Sequence, residues 1–185
     1  MTAGDAPVRA APAERQVPMI DYAVVGLVLA SVTVLLVIVT GREAAVPAPN
    51  ALLGPIFALV GLTVVVGIAM VLVRNLAVFI GKASVRYYHA YSAETPDERI
   101  ERPARTFNNL MQVPVLFYVV CVLLIATAHV DSVQVALAWI FVISRVVHAC
   151  IYIAFNRVSY RFAAFFTGCI TLTVMWAHFA GQVYA

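Results

Sequence analysis

Apolar residues fall in five blocks, at about residues 18–40, 51–73, 106–128, 133–155 and 161–181. Each approaches the ~20 residues a helix needs to cross a hydrocarbon core about 30 Å thick. Within a block the apolar positions cover every face, as in a helix surrounded by lipid and protein. The pattern therefore predicts an all-α integral membrane protein. An Ala/Pro-rich tail over residues 1–17 is expected to be mobile. The first block is too long for a leader's apolar core and its flank is mixed in charge, so it reads as a signal anchor. Gly26 with Ala30, and Gly54 with Ala58 and Gly61, form small-residue faces suited to close helix packing. The second helix is expected to continue past the membrane toward Val85, where Tyr87, Tyr88, Tyr91 and His89 suit the interface. Thr95, Pro96 and Glu98 read as N-cap, N1 and N3 of a short helix that Pro103 closes before the third span opens. Pro114 predicts a kink in that span, and Trp176 and His178 fall at the far interface of the last one.

Polar positions inside these blocks form two stripes. Arg102, Arg105, Asn109 and Gln112 lie within about 80° on one helical face. Arg145, His148, Tyr152 and Asn156 lie within a similar arc of about 80° on the fourth block, and Arg161 opens the fifth. A cationic stripe at bilayer depth is costly unless it faces protein, water or a ligand. Two such stripes suggest one shared interior site. Flanking charge and helix–helix contact remain the competing explanation. Arg145 stands about 16 Å from the inner end of its helix, near the bilayer midplane. Asp21 is the only carboxylate inside a predicted span. Arg145 thus needs a ligand anion, amide and carbonyl partners, or a watery crevice; contact between subunits is an equally weighted role.

Composition adds limits. With 63% hydrophobic and 11% charged residues and a net charge of +3, the chain lacks the basic surface of a nucleic-acid binder. Cys121, Cys150 and Cys169 fall inside spans and read as small buried hydrophobes, not as disulfides or metal ligands. Arg9 and Arg15, then Arg74, Lys82, Arg86, Arg99, Arg102 and Arg105, then Arg157 and Arg161 share one side of a five-span topology, leaving Arg42 opposite. That bias places the N-terminus in the cytoplasm.

The run E-R-x-x-R-x-x-x-N-x-x-Q from Glu101 to Gln112, then Pro114, then R-V-x-H-x-x-x-Y from Arg145 to Tyr152, then Arg161, resembles the MAPEG family, the membrane-associated proteins of eicosanoid and glutathione metabolism. The likeness covers residue 52 to the C-terminus, and N-N-L-M-Q-V-P-V-L-F-Y is similar to bacterial members. It implies a four-helix membrane bundle over residues 51–185, with 18–40 as an additional N-terminal helix, in a bacterial inner membrane. It also implies a homotrimer with glutathione between subunits, and the added helix suggests docking to a larger membrane complex. By resemblance Arg105, Asn109, Gln112, Arg145, His148 and Tyr152 fall at glutathione-contacting positions, and Arg161 at the position that stabilises the thiolate.

Three positions depart from that pattern. The third-span glutamate is Gln112, hydroxyl residues after the thiolate arginine are Phe162 and Phe165, and a histidine is Phe107. Cationic contacts are kept while thiolate donors other than Arg161 are lost. The expectation is a partly degenerate glutathione site with weak transferase or peroxidase activity on lipophilic substrates. A non-catalytic accessory subunit is the alternative, and a lipid- or quinone-binding accessory protein a third.

Overall fold

A computed structural model describes residues 19–42, 47–48, 50–90 and 96–184; the side chains of residues 19, 20, 22 and 90 lie outside the description. The tail over 1–17, Tyr91 and Thr95 also fall outside it. Seven helices follow in order: α1 (Met19–Thr40), α2 (Leu53–Phe79), α3 (Val85–Ala90), α4 (Glu98–Leu110), α5 (Pro114–Ala126), α6 (Ser132–Ala154) and α7 (Val158–Tyr184). Five stretches are long and apolar enough to cross a membrane: Ala23–Thr40, Leu53–Phe79, Glu98–Ala126, Ser132–Ala154 and Val158–Tyr184. α6 packs along α7 and also meets α2 and α4, while α5 lies against α7. The core runs through the stacked rings of Phe117 and Phe141, 4.7 Å apart, with Leu59, Leu124, Leu137 and Met175 fully buried around them.

The third span is two helices, not one kinked helix. Pro114 has no N–H to give the Leu110 carbonyl, and its ring would crowd that oxygen. The chain takes a turn over residues 111–113, with Gln112 N donating to Asn109 O (3.3 Å) and Val115 N to Gln112 O (3.2 Å). Pro114 then starts α5 at a position where no N–H is needed. Upstream, the expected capping arrangement shifts by two residues. Asp97 is the N-cap of α4, its carboxylate accepting from Arg99 N at 2.8 Å. Pro103 therefore lies inside α4 and does not close it. Only one backbone bond is forgone there, and the Arg99 carbonyl that loses it sits on an exposed turn open to water.

The second helix ends at Phe79, and Gly81 (φ 72°) separates it from α3. Gly61 faces outward with nothing near it; the close approaches in α2 are at Gly54, where a Cβ would meet the Trp139 ring at 3.3 Å, and at Gly67, where it would meet the Phe107 ring at 3.1 Å. α1 lies along α6 and α7. Its contact ridge is Asp21, Val25, Leu29, Val32, Leu36 and Val39, while Gly26 and Ala30 face away. Bulky side chains spaced three and four apart fill the α6–α7 groove, so a close small-residue approach is not used. Among the cysteines, Cys121 is buried but Cys150 is exposed toward the surroundings of the bundle.

Candidate functional site

The end of α6 brings the site together. Phe155 N and Asn156 N both donate to Ile151 O, at 3.1 and 2.8 Å, and Asn156 takes the left-handed conformation (φ 47°) that Asn tolerates better than most residues. The chain reverses there, and the first turn of α7 returns onto the last two turns of α6. Asn156 also joins three helices through its side chain. Its Oδ1 accepts from Arg161 Nη1 at 2.6 Å, and its Nδ2 donates to Glu98 at the start of α4. The guanidinium of Arg161 is held 4.3 Å above the Tyr152 ring, a cation–π position.

Asn109 of α4, His148 and Tyr152 of α6, and Arg161 of α7 line one cavity of about 280 Å³, with Phe162 and Phe165 completing its wall. Asn109 and His148 thus share an interior space. Arg161 makes no ion pair among the described residues. His148 is only 5% exposed, yet neither ring nitrogen has a hydrogen-bond partner. Its ring is flanked by Tyr152 at 6.0 Å and Phe165 at 5.7 Å. Leaving a buried polar group unpaired costs about 1–3 kcal/mol. A cavity walled by an unpaired imidazole, an amide, a phenol and an unneutralised guanidinium suits a polar anion.

Arg145 does not line that cavity; it lies just behind the Phe165 wall. It is fully buried, with its Cζ 5.0 Å from the Phe165 ring. Its Nη2 donates to the carbonyls of Ala164 (3.1 Å) and Phe165 (2.8 Å), while Nη1 has no partner. Of the partners considered from sequence, backbone carbonyls take this charge. Gly168 is what lets it approach: a Cβ there would stand 2.3 Å from Nη2 and 2.6 Å from Ser144 Oγ.

Other predicted residues diverge. Arg105 and Gln112 are exposed and do not line the cavity, although Arg105 lies one turn before Asn109 on α4. The α4–α5 break takes Gln112 off the continuous wheel on which the stripe was drawn. Arg102 pairs with Glu98 (3.4 Å) and Phe107 packs on Gly67. Asp21 is buried and meets Tyr160 (hydroxyl 3.1 Å away) and Arg157 (3.9 Å), not Arg145.

A second polar cluster, at the opposite end of the bundle, has no counterpart in either stripe. Asp131 caps α6 through Gln134 N at 2.6 Å. Its other oxygen lies 2.8 Å from His178 Nε2 and accepts from Gln182 Nε2 at 2.7 Å. The D-S-V-Q run marks the cap in the sequence. The α7 partners stand 47 and 51 residues away, beyond any local pattern.

Five helical stretches of membrane-crossing length, with a cation-lined cavity at one end of the bundle, mark a multi-pass α-helical membrane protein. The MAPEG family model matches residues 52–181, and the chain belongs to that family. The match begins after α1, so the first helix is an addition to the family unit. Comparison with curated proteins and with solved structures gives no match.

Proposed function

We propose that the cavity between α4, α6 and α7 binds an anionic thiol of the glutathione class, and that the protein is a weak glutathione-dependent transferase or peroxidase acting on lipophilic substrates. The observation that carries this reading is His148: a buried imidazole with two unpaired nitrogens, in the wall that also holds Arg161. Asn109 and Tyr152 add an amide and a phenol for orienting a peptide-like ligand. Arg161 supplies the positive charge that favours a thiolate over a thiol. A volume of about 280 Å³ is slightly below the usual small-molecule range of roughly 300–1,000 Å³. It takes part of a tripeptide. Arg105, exposed one turn before Asn109 on α4, would meet the remainder where a second copy of the chain completes the site, as in a homotrimer.

The wall also limits the chemistry. Phe162 and Phe165 occupy it and donate nothing, so Arg161 acts alone on sulfur. A thiol with pKa near 8.5 is only a few per cent ionised at neutral pH. Conjugation of electrophiles is therefore slow at neutral pH and rises with pH. Replacing Phe162 with Ser should increase the thiolate absorbance of bound glutathione in difference spectra. Fast turnover by the unmodified protein at neutral pH would contradict the weak-site reading. The two Phe rings also favour a second reading, a non-catalytic accessory subunit; glutathione binding without turnover at any pH would select it.

A further inference from the structure

A second and larger cavity, of about 390 Å³, lies on the other side of α7, between α1 and the α6–α7 pair. Val25 and Val32 line it from α1, Ile143 and Ile151 from α6, Tyr160 and Thr167 from α7. Every helix that forms it is a membrane span, so the medium it opens to is lipid. Along α1 it extends from Val25 to Leu35, about 15 Å, or half of a ~30 Å hydrocarbon core. That is the depth of one leaflet. Its α1–α7 rim is not apolar. The Tyr160 hydroxyl donates to Asp21 there, and Arg157 lies beside them with its side chain 63% exposed. A guanidinium with one carboxylate 3.9 Å away keeps N–H donors for a further anion. Apolar walls one leaflet deep, beneath an exposed cation, match an acyl chain below a phosphate.

We propose that α1 closes a binding site for one anionic phospholipid of the adjacent leaflet, its acyl chain in the α1–α6–α7 cavity and its phosphate on Arg157. The site requires α1, which lies outside the part of the chain shared with the family. It is separate from the thiol cavity, and its occupancy does not depend on that proposal. One polar group in the wall gives a test that separates this occupant from others. Thr167 is 7% exposed and its hydroxyl has no partner, although Thr171 and Thr173 bond the carbonyls four residues back. It sits about 10 Å deeper than Tyr160, where a saturated acyl chain carries no acceptor. A quinone or an oxygenated chain would use that hydroxyl; a phospholipid does not.

The test uses the full chain in vesicles of phosphatidylcholine and phosphatidylglycerol with a trace of phosphatidylglycerol bearing a photoreactive acyl chain. Crosslinked positions are mapped by peptide mass spectrometry. Labelling is expected at Ile143, Ile151 and Thr167, above that of outward residues on α2 such as Phe57 and Val64. Val32→Trp, which fills the cavity, should lower cavity labelling several-fold and leave α2 labelling unchanged. Arg157→Gln, which removes the exposed cation and leaves the Tyr160–Asp21 hydrogen bond that holds α1, should lower it several-fold with the phosphatidylglycerol probe. Thr167→Val should leave it unchanged. Cavity labelling no higher than on α2 would overturn the proposal, as would insensitivity to Arg157→Gln. Loss on Thr167→Val would also overturn it, in favour of an oxygen-bearing ligand.

Discussion

Arg145 shows how a charge is accommodated at membrane depth. A guanidinium at the centre of a span costs at least about 2.5–3.5 kcal/mol unless it finds partners. Here the partners are two backbone carbonyls of α7, reached because Gly168 has no side chain. Gly168→Ala should destabilise the protein by about 1–3 kcal/mol, the usual cost of overpacking. The cost should fall in an Arg145→Met background, which removes the clash with the guanidinium, and the part that remains belongs to Ser144 Oγ, 2.6 Å from the added Cβ. Thermal denaturation of the four proteins in detergent measures this cycle; equal losses in both backgrounds would separate Gly168 from Arg145. In the sequence Arg145 is conspicuous but its partners are not. Backbone carbonyls carry no signature, and Gly168 reads as one more small residue in an apolar helix. His148 and Tyr152 are legible as a pair because helical spacing puts them on one face, while Asn109 and Arg161, on other helices, join them through the family resemblance. The same spacing puts Arg105 and Gln112 on the stripe with Asn109, and both are exposed and outside the cavity wall.

At the scale of helices, the spans could be read because bilayer thickness sets their length, whereas their joints depend on single backbone groups. Pro114 splits the third span where a kink was expected, since the missing donor and the ring both act on the Leu110 carbonyl. Asp97, not Thr95, starts α4, and that shift absorbs Pro103 into the helix. The packing face of α1 was also hidden: its small residues suggested one face, and its Val/Leu ridge uses another. Asp131 is the clearest case of a joint made by one side chain. It caps α6 and ties it to His178 and Gln182 of α7. Asp131→Ala should cost about 0.5–2 kcal/mol for the cap alone, and more for the lost α7 contacts. Asp131→Asn, which can still cap α6, should be milder. A thermal shift assay in detergent ranks the two; an Ala variant as stable as the unmodified chain would show that the cluster carries no load.

For the molecule as a whole, contacts assign the helix ends to sides. Asp21 meets Arg157, Arg74 meets Glu101 at 2.9 Å, and Glu98 meets Asn156. These residues and the basic segments around them therefore share one face of the membrane. The positive-inside rule predicts that this face is cytoplasmic. A cysteine placed at exposed Arg99 should react with a membrane-impermeant maleimide only after permeabilisation. Labelling in intact cells would invert the topology. The cavity lined by His148 and Arg161 opens at this same end, from which the proposed anionic thiol would enter, and the α1 cavity extends from it into one leaflet.

The central claim is that His148 and Arg161 face an anionic thiol ligand, and calorimetric titration of the detergent-solubilised protein with glutathione tests it most directly. A hydrogen bond to a charged group contributes about 1.5–3 kcal/mol, so Arg161→Gln should weaken binding roughly 10- to 150-fold. His148→Leu should weaken it less, and Arg157→Gln, at the lipid cavity, should leave it unchanged. Absence of binding by the unmodified chain, or equal affinity after Arg161→Gln, would contradict the account and leave the two polar stripes as contacts between helices.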